Sequence, residues 1–151
     1  MRSIEIATLT ISRMLLFVTV LLAAGVAMPT EKPRVAISGY DPIAYFSEGQ
    51  ARKGDANLFF EWDGARYQFA TPQHRDTFAA NPARYAPQYG GYCTIGLAGG
   101  TKIEPDPSRW VISDGRLYLF GSRNGPNQFA TEHNKLKKQA DANWSQREKL
   151  R

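Results

Sequence analysis

Asp63-Gly64 and Asp114-Gly115 each sit between two short runs of strand-type residues, and nothing else in the chain restricts its fold as tightly. Asp-Gly favours the two-residue type I′ turn, whose twist matches that of the flanking strands. The first such turn joins Asn57 to Trp62 with Ala65 to Ala70, pairing Phe60 with Tyr67 and Leu58 with Phe69. The second joins Arg109 to Ser113 with Arg116 to Phe120, pairing Trp110 with Leu119 and Ile112 with Leu117. In each hairpin the four paired apolar residues share one face, so turn chemistry and hydrophobic pattern agree on the register. The expected fold class is α+β: a small antiparallel β-sheet built from the two Asp-Gly hairpins, with helices packed on one face.

The helices are punctuated in the usual way. Asp41 and Thr71 are N-cap residues, and Pro42 and Pro72 take the first helical positions. Val35-Ala36-Ile37 reads as a short strand, Pro82 to Tyr85 as a short turn, and Gln88 to Gly100 as a glycine-rich loop. From Gln128 to the end, Phe129, His133, Leu136, Ala140 and Trp144 recur at helical spacing on one stripe. No internal repeat is evident.

The first 27 residues carry Arg2 and Arg13 ahead of the apolar run Met14 to Val26, followed by small residues. This pattern is that of a cleaved signal peptide, since the run is shorter than the roughly 20 apolar residues a spanning helix needs. The expected organisation is a signal peptide over 1–27, a flexible leader over 28–34 and one domain over 35–151, exported to the periplasm or secreted. Cys93 is the single cysteine, so no intramolecular disulfide is available and the 42% hydrophobic content must supply the core. The net charge of +5 is concentrated near the C-terminus in Lys135, Lys137, Lys138, Arg147, Lys149 and Arg151. No recognition motif for nucleic acid accompanies it. The cluster is expected to be a solvated helix face with at most weak contact to an anionic membrane surface.

Two side chains draw attention as metal ligands. His74 falls in the first turn of the helix opened by Thr71, and imidazole is the commonest metal-ligating side chain. Position alone favours a solvent-exposed or capping histidine, because a helix N-terminus carries partial positive charge. Cys93 follows Gly90-Gly91-Tyr92, where the chain can turn sharply, and a cysteine with a histidine suits zinc or copper. Further donors by type are Tyr40, Asp41, Tyr89 and Tyr92, which also outline a tyrosine-lined ligand groove near Gly90. Burial is the default explanation for the thiol.

Several motifs in order carry a family resemblance: Gly39-Tyr40-Asp41-Pro42-Ile43-Ala44-Tyr45-Phe46, Phe60-Glu61-Trp62-Asp63-Gly64, Asn81 through Cys93, Asp106-Pro107 with Trp110, and Ala140 through Trp144. From about Ala36 to Trp144 the chain resembles the YHS domain family, in particular its exported single-domain bacterial members. The resemblance implies a metal-associated module. Two of the family's cysteine ligand positions fall on Ala44 and Ala70, and His74 occupies the last. The expected function is a non-enzymatic, exported YHS-like binding domain whose metal, copper or zinc, is held by His74 and Cys93. The alternative is a metal-free module that binds an envelope protein or small ligand in the groove. A thiol-based enzyme using Cys93 comes third.

Overall fold

The computed structural model describes residues 32–148, so the signal-peptide reading and most of the leader lie outside the described residues. The elements run β1 (Arg34–Val35), a tight turn (Ala36–Gly39), α1 (Pro42–Ser47), β2 (Asp55–Trp62), β3 (Ala65–Phe69), α2 (Pro72–Ala80) and α3 (Pro82–Tyr85). A second tight turn (Gln88–Gly91), α4 (Thr94–Ala98), β4 (Asp106–Ser113), β5 (Arg116–Phe120) and α5 (Gly125–Glu148) complete the chain. The fold is α+β, and no described helix is long and apolar enough to cross a membrane.

Both Asp-Gly turns form as their chemistry dictates, with φ of 48° and 71° at Asp63 and Gly64 and of 51° and 69° at Asp114 and Gly115. Phe60 pairs with Tyr67, Trp110 with Leu119 and Ile112 with Leu117. The expected Leu58–Phe69 pair does not form. A bulge between Asp55 and Phe59 shifts the register, so that Asp55 faces Phe69. The eight expected apolar residues nonetheless meet in one core with Ile37, Ile43, Tyr45 and Phe78.

The hairpins do not share a sheet. One sheet has the order β1-β3-β2 and the other contains β4 and β5. The outer side of β3 is taken by β1, which pairs with it in parallel, and Cys93 bridges to Leu119 on the outer side of β5. The hairpins instead stack through their apolar faces. The second is also covered on its other face, where Tyr118 and Phe120 pack with Tyr89, Leu97, Phe129, Leu136 and Ala140. The run Leu117-Tyr118-Leu119-Phe120, apolar without alternation, is the pattern of a strand buried on both sides.

Three further departures are local. Val35 closes β1, and Ala36-Ile37 turn rather than extend; Ile37 and Ser38 have φ of 52° and 50°. Arg34, expected in the leader, belongs to β1 and pairs with Glu104 at 3.0 Å. Within the glycine-rich stretch Thr94–Ala98 is helical, capped by the Cys93 sulfur, which accepts from the Gly96 N–H at 3.4 Å.

The chain is a structural repeat. Ile37-Ser38-Gly39, all with positive φ, precede Tyr40 and Asp41; Tyr89-Gly90-Gly91, all with positive φ, precede Tyr92 and Cys93. Each turn leads to a short helix, an Asp-Gly hairpin with a bulge at the same place, and a helix that buries a phenylalanine on the hairpin. Tyr67 and Phe78 rings lie 4.8 Å apart at 34°, and Tyr118 and Phe129 rings 4.8 Å apart at 35°. Phe69–Phe78 and Phe120–Phe129 match as closely, at 5.3 and 5.4 Å and both at 54°. Phe78 and Phe129 are therefore equivalent anchors. Each Phe→Ala substitution is expected to cost about 3–5 kcal/mol in a denaturant titration, while Phe59→Ala on the solvent face should cost far less.

Candidate functional site

Asp41 is fully buried and is the cap that its sequence position suggested. Its Oδ1 accepts from the Ile43 N–H at 2.8 Å, and its Oδ2 accepts from the Ala70 N–H at 2.8 Å. Oδ2 also lies 2.7 Å from His74 Nδ1. The carboxyl group thus joins the start of α1, the end of β3 and the first turn of α2. Because both oxygens already accept backbone N–H groups, the proton between Asp41 and His74 is assigned to Nδ1, which leaves Nε2 as the open ring nitrogen.

Nε2 points to the end of α1, 3.5 Å from Ser47 Oγ and 3.9 Å from Glu48 Oε1. The Ser47 hydroxyl donates to the Ile43 carbonyl at 3.0 Å, so its proton is already placed. Hydrogen bonds from Gln50 and Arg52 hold the Glu48 carboxyl below its usual range. A histidine whose Nδ1 is fixed by a carboxylate, with Nε2 open, has the form of a metal ligand with its supporting group.

Cys93 occupies in the second repeat the place Asp41 has in the first. It is 4% exposed, its N–H donates to the Ile103 carbonyl at 2.8 Å, and its sulfur lies near Gly121, the counterpart of Ala70. The counterpart of His74 is Gly125, where a Cβ would stand 2.5 Å from the Phe120 Cβ. The second repeat therefore has no room for a histidine there. The geometry gives His74 and Cys93 separate partners, Asp41 for one and Gly96 for the other. Among the described residues no group of three or more His, Cys, Asp or Glu side chains is arranged to hold a metal ion.

The four groove residues named from sequence divide in two. Tyr40 lies under the Lys53 ammonium, 4.9 Å from its ring centroid, and Asp41 is sealed against His74. Tyr89 and Tyr92 do line neighbouring recesses beside Gly90. The larger, about 230 Å³, runs between the first hairpin and α5, with Trp62, Tyr67, Tyr89 and Trp144 as rings and Asp63 and Asp141 as acids. The smaller, about 70 Å³, shares Asp63, Gly90 and Trp144 with it and adds Arg34 and Tyr92.

Local packing fixes these walls. The Tyr89 hydroxyl donates to Asp141 Oδ1 at 2.9 Å, and its ring meets Trp144 edge-on at 6.3 Å. Gly90 has φ of 60°, and a Cβ there would stand 3.0 Å from the Trp144 ring, so the close approach requires glycine. Arg34 donates to the Gly90 carbonyl and stacks 4.1 Å from the Tyr92 centroid. Tyr67 is 1% exposed, yet its hydroxyl is not among the buried groups without a partner, and it lines the larger recess. Sequence reading missed Trp62, Tyr67, Asp141 and Trp144. The helical stripe had placed Trp144 on the buried side, and the Tyr and Phe spacing that both hairpins share was the signal for Tyr67.

Two outcomes follow. Asp41→Ala leaves the Ile43 and Ala70 N–H groups without their acceptor, at about 1–3 kcal/mol each; urea denaturation matching the intact protein would show that water replaces the carboxylate. Burial raises the hydroxyl pKa values of Tyr45, Tyr67 and Tyr89, Tyr67 to about 12. Raised folded-state values give stability that is complete below the unfolded tyrosine pKa of about 10 and is lost as pH rises through the folded values. Thermal stability should therefore fall above about pH 10, in step with the growth of phenolate absorbance.

Comparison with family models, with curated proteins and with solved structures finds no match for this chain.

Proposed function

We propose that this chain is an exported YHS-like binding module without catalytic activity, and that its ligand site is the groove between the first hairpin and α5. The observation that carries the reading is the convergence of Trp62, Tyr67, Tyr89 and Trp144, from four separate segments, on one recess with acids at its rim. A largely preformed apolar recess with a few placed polar groups is the usual form of a small-ligand site. The Tyr89–Asp141 hydrogen bond and the close seat of Trp144 on Gly90 hold the walls before any ligand arrives. The exported location rests on the N-terminal sequence pattern.

A second reading has one specific observation in its favour. The Asp41–Nδ1 contact leaves His74 Nε2 open beside Glu48, so copper or zinc would find a first ligand there and a carboxylate within reach. In this reading Cys93 is a helix cap, not a ligand.

An NMR screen of the mature protein against a library of small organic fragments separates the two. Under the first reading, bound fragments shift the indole resonances of Trp62 and Trp144 and the amide of Gly90, and Trp144→Ala removes the effect. Fragments that bind only elsewhere, or none that bind, would sink it. Zinc added to the same sample should shift His74 under the second reading, with the response lost in His74→Ala.

A further inference from the structure

The groove has a chemical bias. Its larger recess is lined by four aromatic rings and two carboxylates, and among the described residues no lysine, arginine or histidine lines it. Aromatic faces carry negative potential and attract cations within about 6 Å of the centroid, tryptophan most strongly. The carboxylates act in the same direction. An anion would face the Asp141 carboxylate and find no cationic side chain among the described lining residues.

The protein already uses this chemistry next door. In the adjoining recess the Arg34 guanidinium lies 4.1 Å from the Tyr92 centroid. Lys102, outside that lining, has its Nζ 5.3 Å from the Tyr92 centroid and 6.0 Å from that of Trp144. Arg34 is engaged by Glu104 and the Gly90 carbonyl, so its charge is partly answered before it reaches the larger recess. Trp144 thus meets a protein cation, Lys102, and also serves as a wall of the larger, acid-rimmed recess.

Size narrows the class further. About 230 Å³ is below the range of roughly 300–1,000 Å³ typical of drug-sized ligands. A hydrated metal ion gains little from rings. A methylated ammonium group presents a weakly hydrated cation with an apolar surface, which matches rings and carboxylates together.

Building on the groove reading above, we infer that the ligand is a small free organic cation of the choline type, with its methylated ammonium among Trp62, Tyr89 and Trp144 and its charge answered by Asp141. The Tyr67 hydroxyl is placed to bond a polar tail. Binding needs no covalent step.

The test is isothermal titration of the mature protein with choline and with 3,3-dimethylbutan-1-ol, its uncharged isostere. Choline should bind saturably and at least tenfold more tightly than the isostere. Asp141→Asn and Trp144→Phe should each weaken choline binding several-fold. Trp144→Phe keeps a ring in place, so a loss of binding with an unchanged melting temperature reports on the ring's electronics and not on folding. Equal binding of choline and the isostere would overturn the cation inference and leave the groove as an apolar site. An absence of choline binding while library fragments still occupy the groove would also overturn this inference alone. Silence from every probe would remove the groove reading itself.

Discussion

The buried carboxyl of Asp41 is the joint on which the first half of the molecule turns. It accepts from the first turn of α1, from the backbone at the end of β3, and from the His74 ring on α2, so three elements meet at two oxygen atoms. Hydrogen bonds to a charged acceptor are short and strong, and a buried acceptor with every partner in place fixes geometry as well as contributing energy. The turn before it is costly: Ile37 is a β-branched residue at positive φ. The Tyr40 N–H bonded to the Ile37 carbonyl, and the Asp41 N–H bonded to the Arg52 carbonyl at 2.8 Å, offset that cost.

The second half solves the same problem with weaker chemistry. The Cys93 N–H bonds the Ile103 carbonyl at 2.8 Å, as Asp41 bonds Arg52, but a thiol replaces the carboxyl and glycine replaces the histidine. What holds this half is burial: Tyr118 and Phe120 against Phe129 and Leu136, with Asn143 donating to the carbonyls of Leu97 and Ala98 at 2.8 and 3.1 Å. The counterpart of α2 is the stretch of α5 before the kink at Glu132 (φ −119°, ψ 20°), and the stretch beyond the kink supplies the added apolar cover through Leu136 and Ala140.

Local physics was legible in the sequence and long-range geometry was not. The caps at Asp41 and Thr71, both hairpin turns and the apolar stripe of α5 each follow from residues a few positions apart, and all are present. Whether two hairpins join edge to edge or stack face to face depends on what reaches their free edges, and the two-residue strand β1 is too short to announce that it pairs with β3. The bulge opposite Phe69 likewise depends on tertiary fit. The repeat was visible in principle, since Asp-Gly, Tyr, Phe and a second Phe recur at matching positions in Asp63 to Phe78 and Asp114 to Phe129. The differing residues between them, His74 against Gly125 above all, conceal it.

The groove arises where the two halves cease to match. In the first half, Lys53 bonds the Ser38 carbonyl and the Gln68 side chain closes over Gly39, so the turn is covered from within its own unit. The second half has Glu104 at the place of Lys53, which has the wrong charge to bond a carbonyl. Glu104 instead holds Arg34, and Arg34, from the far end of the chain, bonds the Gly90 carbonyl. No counterpart of Gln68 closes over this turn, because Leu119 at that position is buried in the first core. The cover comes from the extension of α5, whose Asp141 and Trp144 reach Tyr89 and Gly90 and leave a gap against the first hairpin. A repeat that is symmetric in its hairpins and asymmetric in its last helix thus places an aromatic recess beside the second turn. This asymmetry, and no single residue motif in the sequence, sets where the recess lies.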